Sequence, residues 1–192
     1  MSRPSLKHQR SEEILDAFMA CVARYGLDGA TLEKIAEEAG VGRPLIRHYL
    51  GNREEMVAKL LDHVIANFER LTDAMFSSLP EERRFEVFMD RLFGKKDYSA
   101  ENAAVFQALV AAAERYAGIE NQLMGFVLQF EKKTAKEFLR HKPHAELERC
   151  KVAASGVTAI YFNTSAIMPL NPGPSWRKLQ RRAAQSLVDS LG

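Results

Sequence analysis

Only two cysteines occur in 192 residues, Cys21 and Cys150, far apart and each on an apolar helix stripe. So few thiols exclude a disulfide-built scaffold, and buried free cysteines in a reducing cytoplasm are the expectation. Charge of one sign is scarce as well: 27 Lys and Arg against 25 Asp and Glu leave +2. Any surface for a polyanion must therefore be local. No apolar run is long enough for a bilayer span, and no charged-then-apolar leader opens the chain; a soluble cytoplasmic protein without membrane contact is expected. Strict apolar-polar alternation is missing, which argues against strands. There is no Gly-rich phosphate loop and no Ser–His–acid set, so an enzyme is not expected, nor a cofactor. His141 and His144 form an H-x-x-H, but Pro143 interrupts it and no third ligand lies nearby. They read as solvated helix-end histidines rather than a metal site.

What the chain does have is helical periodicity from end to end. At 46% hydrophobic and 27% charged it has the composition of a globular protein with a substantial core. Residues 1–8, with Arg3 and Lys7, read as a mobile arm. A first helix is predicted from about Gln9 to Tyr25, burying Ile14, Ala17, Phe18, Cys21 and Val22, and stopped by Gly26. Asn52 can cap a long helix from Arg53 to about Ser77, with Glu54 and Glu55 at its positive end. Further helices are expected near 81–93, 100–117, 119–141, 144–168 and 175–190. Their separators are Gly94-Lys95-Lys96-Asp97, Gly118, Lys142-Pro143 and the Pro-rich stretch 169–174. The fold class is all-α.

Residues 31–50, TLEKIAEEAGVGRPLIRHYL, carry the most information. They read as a helix, a tight turn and a second helix. Ile35 and Ala39 share one face of the first; Ile46 and Tyr49 share one face of the second. Thr31 is an N-cap, Gly40 suits a left-handed corner, and Pro44 fits the first turn of the second helix. Arg43, Arg47 and His48 are left pointing outward. A short helix with an apolar underside and outward donors fits a DNA major groove.

The block 9–56, through EEILDAFMACVARYGLDGATLEKIAEEAGVGRPLIRHYLGNREEM, resembles the DNA-binding domain of the TetR family of bacterial transcriptional regulators. That resemblance implies three N-terminal helices that read DNA, over residues 1–52. It also implies a larger helical domain over 53–192 that binds a small molecule and dimerises, the helix from Arg53 linking the two. Some residues depart from the family pattern: Gly42 stands at a usual Ser or Thr cap, Leu45 at a small polar position, Arg47 at a frequent Tyr and Leu50 at a common Phe. The resemblance implies a repressor released from a palindromic double-stranded operator by a small-molecule effector. A helical ligand-binding or adaptor protein that keeps the fold without reading DNA is the alternative.

The expected DNA-binding residues are Thr31, Arg43, Pro44, Leu45, Arg47, His48, Tyr49 and Arg53. Arg47 suits a guanine O6/N7 pair, Leu45 a thymine methyl, and His48 and Tyr49 phosphate oxygens. Thr31 and Arg53 would clamp the backbone on either side. For the effector, Phe106, Gln107, Tyr116, Met124, Phe126, Tyr161, Phe162 and Asn163 are candidates from the aromatic-rich C-terminal helices. Residues 144–168 carry no charge after Lys151 and many small side chains. The last helix offers Leu179, Ala183, Leu187 and Leu191. These two helices are the expected homodimer surface, as a four-helix bundle.

Overall fold

The computed structural model describes residues 6–94 and 98–192. Arg3, most of the arm read over 1–8, the Lys7 side chain and the separator at Lys95–Asp97 lie outside the described residues. Among those described, the fold is all-α, with no strand. In chain order the helices are α1 (Leu6–Gly29), α2 (Leu32–Glu38), α3 (Arg43–Leu50), α4 (Arg53–Ser77) and α5 (Arg84–Phe93), followed by α6 (Ala100–Ala112), α7 (Ile119–His141), α8 (Leu147–Ile167) and α9 (Pro174–Asp189). Among the described residues no helix is long and apolar enough to cross a membrane.

Two compact units divide the chain. One holds the chain up to Glu69 together with Glu101–Met124; the other holds Arg70–Ala100 and Gly125–Gly192. The first thus reaches beyond the three-helix segment expected to end at residue 52. The physical reason lies in α4, whose Met56, Val57, Leu60, Leu61, Val64 and Phe68 are all buried. Part of that stripe is met by α6, whose Phe106 ring lies 6.2 Å from that of Phe68.

Within the first unit, α1 is continuous up to Tyr25. Gly26 then adopts φ 71, ψ 170, a break that only glycine makes cheaply, before a last short turn to Gly29. Ile14, Phe18, Cys21 and Val22 are fully withdrawn from solvent. The second unit is built on an aromatic core in which Phe85, Phe88, Phe130 and Phe138 pack with Cys150, Ala153, Ala154, Val157, Ala184 and Val188. Both cysteines are buried and free, and burial pushes both thiols above their ordinary range.

Helix α9 divides the residues expected on its partner surface. Ala184, Val188 and Leu191 turn inward, while Leu179 and Ala183 stay exposed and Leu187 is half-buried. The core takes Ala184 and Val188 from the helix and, of the stripe read from sequence, Leu191 just beyond its end.

A charged device closes the end of α4 inside the second unit. Arg84 donates to the carbonyls of Leu79 (2.8 Å) and Phe76 (3.3 Å) and makes a two-pronged pair with Glu137, at 2.7 and 2.8 Å. Arg91 donates to the Met75 carbonyl (2.7 Å). Carbonyls at a helix C-terminus lack intrahelical partners, and cations there also meet the negative end of the helix dipole. The Arg84–Glu137 pair is largely shielded, so removing one partner leaves a charge short of compensation. Glu137→Ala is therefore expected to cost about 2–3 kcal/mol of unfolding free energy, measured by urea denaturation. A loss near zero would mean that the carbonyls alone satisfy Arg84.

Candidate nucleic-acid interface

Thr31 sits in extended backbone at the start of α2, and its Oγ1 accepts the Lys34 N–H at 3.5 Å. Ile35 and Ala36 bury the underside of α2. After Glu38 the chain turns through Gly40 at φ 64. The Gly40 N–H donates to the Glu37 carbonyl (3.2 Å) and the Val41 N–H to that of Ala36 (3.0 Å). This paired closure of a helix end needs a left-handed residue, which explains glycine at the corner. Gly42 then takes extended backbone at the start of α3 and supplies no side-chain cap, while Pro44 occupies the first turn.

On α3, Ile46 and Leu50 are wholly buried. Arg43, Pro44, Leu45, Arg47 and His48 are exposed, and Tyr49 is half-buried with its ring edge-on to His48 at 5.3 Å. The outward set is the one the sequence predicts; the apolar anchor beside Ile46 is Leu50 rather than Tyr49. Arg43 is held by Glu33 at 2.7 Å. A hydrogen bond from its own backbone N–H, and then those from Arg43 and Thr31, hold the Glu33 carboxyl below the usual range. The pair therefore stays ionised at neutral pH and is lost only as pH falls through that lowered value. Among the described residues, Arg47 has no ion-pair partner.

Arg53 behaves differently from the outward cations. Its guanidinium donates to the carbonyls of Ala30 (3.0 Å) and Leu27, and it lies 5.5 Å from the centre of the Phe18 ring. Its first task is thus to fasten the loop between α1 and α2 onto the start of α4. Sequence reasoning missed two further fasteners. Lys59 donates to the Tyr49 carbonyl at the end of α3 (2.8 Å). Lys34 donates to the Gly29 carbonyl (3.0 Å) and sits 3.9 Å over the Tyr25 ring. No local pattern announces the Lys59 contact, because it joins two helices. The start of α4 was legible: the Asn52 N–H donates to Glu55 Oε2 (2.7 Å), and the Glu55 N–H donates to Asn52 Oδ1 (3.0 Å). These reciprocal bonds are a capping box.

Around these helix starts lies a concavity of about 560 Å³, lined by Asp28, Thr31, Arg47, Gly51, Asn52 and Arg53 among others. Candidate effector residues fall in both units. Phe106, Gln107, Tyr116 and Met124 belong to the first unit, and Phe126, Tyr161, Phe162 and Asn163 to the second. Gln107, Met124 and Asn163 are exposed. Phe130 gathers Phe126, Tyr161 and Phe162 around it, with ring centres 6.5, 5.7 and 6.1 Å away. His141 stacks on Phe85 at 3.9 Å. Among the described residues, no group of three or more His, Cys, Asp or Glu side chains is placed to hold a metal.

Residues 14–60, the segment that builds this surface, match the TetR-family model, described as "Bacterial regulatory proteins, tetR family". The HTH-type transcriptional repressor SCO4008 of Streptomyces coelicolor is 30% identical over 107 residues, 56% of this chain and 51% of that protein. The HTH-type transcriptional regulator BetI of Vibrio vulnificus is 25% identical over 96 residues, 48% of each chain. These matches span about half the length of those relatives. The TetR-family transcriptional regulator of Cytophaga hutchinsonii, known as a crystal structure, shares the fold at a TM-score of 0.80 and 12% identity; the likeness covers 99% of this chain and 98% of that one. In TetR-family terms, α2 and α3 are the helix-turn-helix.

Two glycines separate backbone strain from lost capping. Gly40 has open space around its Cβ position, whereas a Cβ at Gly51 (φ 85) would fall 1.9 Å from Glu55 Oε2. Gly40→Ala is expected to cost about 1–2 kcal/mol, from the left-handed backbone alone. Gly51→Ala is expected to cost about 2–4 kcal/mol, because it also displaces the capping carboxylate. Urea midpoints of the two variants test this order, and equal losses would show that the capping box is not disturbed.

Proposed function

We propose that this chain is a transcriptional repressor that binds a palindromic double-stranded operator and leaves it when a small-molecule effector binds. The observation that carries the reading is the division of α3 into a buried side, Ile46 and Leu50, and an outward side of Arg43, Leu45, Arg47 and His48. Residues 1–52 would be the DNA-reading segment and 53–192 the effector and dimer segment. Arg47, with no ion-pair partner among the described residues, is assigned to a guanine edge. Arg43 exchanges Glu33 for a phosphate or a base. Leu45 meets a thymine methyl, Pro44 sets the close approach of the helix start, and His48 and the Tyr49 hydroxyl donate to phosphates. The Thr31 hydroxyl, which accepts the Lys34 N–H and donates to the Glu33 carboxylate, exchanges that carboxylate for a phosphate. Arg53 acts first through the loop it fastens, which shapes the concavity for the DNA backbone.

The effector is assigned to the aromatic-rich helices, with Phe126, Tyr161 and Phe162 around Phe130 the best-supported part of the set. It acts only if it binds two states of the protein with different affinity.

A homodimer through α8 and α9 is supported by what those helices leave uncovered. On α8 the exposed residues Val152, Ser155, Ala159 and Asn163 repeat at three- and four-residue steps; on α9, Leu179, Ala183 and Ser186 do the same. Val152 is 75% exposed and Leu179 59%. Such seams suit a four-helix bundle of two protomers, which would set two α3 helices about 34–36 Å apart, or a multiple, along the duplex.

The test is a gel shift against the DNA upstream of the chain's own gene across a salt series. A steep fall of log affinity with log salt is expected, and a slope near zero would remove phosphate contacts and leave the adaptor reading. Arg47→Ala is expected to cost about 1–3 kcal/mol of binding and to relax preference at one operator position. Unchanged selectivity would take Arg47 out of the base-reading set.

A further inference from the structure

The concavity beside α3 contains a charge of the wrong sign. Asp28 lines it together with Thr31, Arg47, Asn52 and Arg53, and its side chain is 62% exposed. A bare carboxylate there would repel the phosphates that the surrounding groups attract. Asp28 is not bare: Arg115 Nη1 donates to its Oδ2 at 2.6 Å. Arg115 comes from the turn between α6 and α7, 87 residues further along the chain. The turn is itself held in place. The Arg115 N–H donates to the Ala112 carbonyl at 2.9 Å, and Gln122 at the start of α7 donates to Asp62 of α4 at 3.0 Å.

Two acids of the helix-turn-helix, Glu33 and Glu38, are neutralised from within the N-terminal helices, by Arg43 and Arg24. Asp28 takes its cation from a distant turn instead. Folding stability gives little reason for this, since an ion pair so exposed contributes almost nothing to it. An electrostatic effect on a nearby polyanion is another matter: the Asp28 carboxylate lines the concavity and Arg115 does not, so Arg115 acts there by cancelling that carboxylate.

We propose that Arg115 masks Asp28, so that the docked α6–α7 turn makes the concavity more attractive to a phosphate backbone and its withdrawal makes it less so. The inference rests on the DNA reading above and adds to it a switch in which the position of one turn sets the strength of the interface. No contact between Arg115 and the duplex is required. Arg115 is thus a positioning and neutralising residue, distinct from those that touch DNA.

A double-mutant cycle tests this with the full chain and a fluorescently labelled duplex of random sequence, read by anisotropy at low and moderate salt. A random duplex is the right probe because a masked charge acts on phosphates whatever the bases. Arg115→Gln is expected to weaken binding about three- to tenfold at low salt, the scale of one unscreened like charge near a phosphate, and less as salt rises. Asp28→Asn should bind at least as well as the parent. The double variant should match Asp28→Asn, because with no carboxylate there is nothing left to mask. Arg115→Lys should retain most of the parent's affinity, which guards against a folding defect in Arg115→Gln. Equal weakening by Arg115→Gln with and without Asp28 would overturn the proposal, for Arg115 would then touch the duplex directly. An Arg115→Gln variant that binds as the parent does would overturn it too. Failure of the parent itself to bind any duplex would instead sink the DNA reading and the mask with it.

Discussion

An eight-residue helix cannot sustain itself in water, so α3 exists only because Ile46 and Leu50 are withdrawn from solvent. That constraint fixes its rotation. Successive residues are about 100° apart around the axis, so once Ile46 points inward, Arg47 and His48 must swing away from the core. The outward face is thus a consequence of burial. The chain does little else to stabilise the start of α3, where Gly42 offers no capping oxygen. The paired turn hydrogen bonds at Gly40 and the Lys59 contact at the far end keep so short a helix in register.

Cations on this unit divide by what their donors meet. Arg53, Lys34 and Lys59 donate to backbone carbonyls at the ends of loops and helices, where orphan acceptors need them. Arg24 and Arg43 are matched to Glu38 and Glu33. Net charge near zero therefore does not describe the surface that matters. Most of the positive charge here is already engaged, and a ligand must compete for it; Arg47 is the exception on α3 itself. Such an arrangement favours selectivity over raw attraction, because exchanging an internal carboxylate for an external phosphate gains little unless the geometry is right.

Short-range rules made much of this legible in sequence. Thr31, Gly40, Gly26 and Asn52 each obey a local cap or turn rule, and α4 begins and ends where its pattern says, at Arg53 and Ser77. The departure at Tyr49 and Leu50 is also local: both are apolar enough to anchor, and only packing decides between them. Long-range contacts stayed hidden. Nothing near Arg53 reveals that it will reach Ala30 and Leu27, and nothing near Arg115 points to Asp28. The effector candidates suffered from the same limit. Aromatic residues mark apolar interior, but residue type alone does not separate core from cavity wall or surface, and Gln107, Met124 and Asn163 proved exposed.

Helix α9 shows how one short sequence can serve two neighbours. Its inward stripe, Ala184 and Val188, joins the core of α5, α7 and α8, and that burial fixes the helix's rotation; Arg181 also reaches Asp90 of α5 at 2.9 Å. Rotation once fixed, Leu179 and Ala183 have no core left to enter. A helix pinned in this way cannot roll to hide its second stripe. Its exposed apolar residues are therefore a stable feature of the single chain, which is what a surface needs if a partner is to find it already formed.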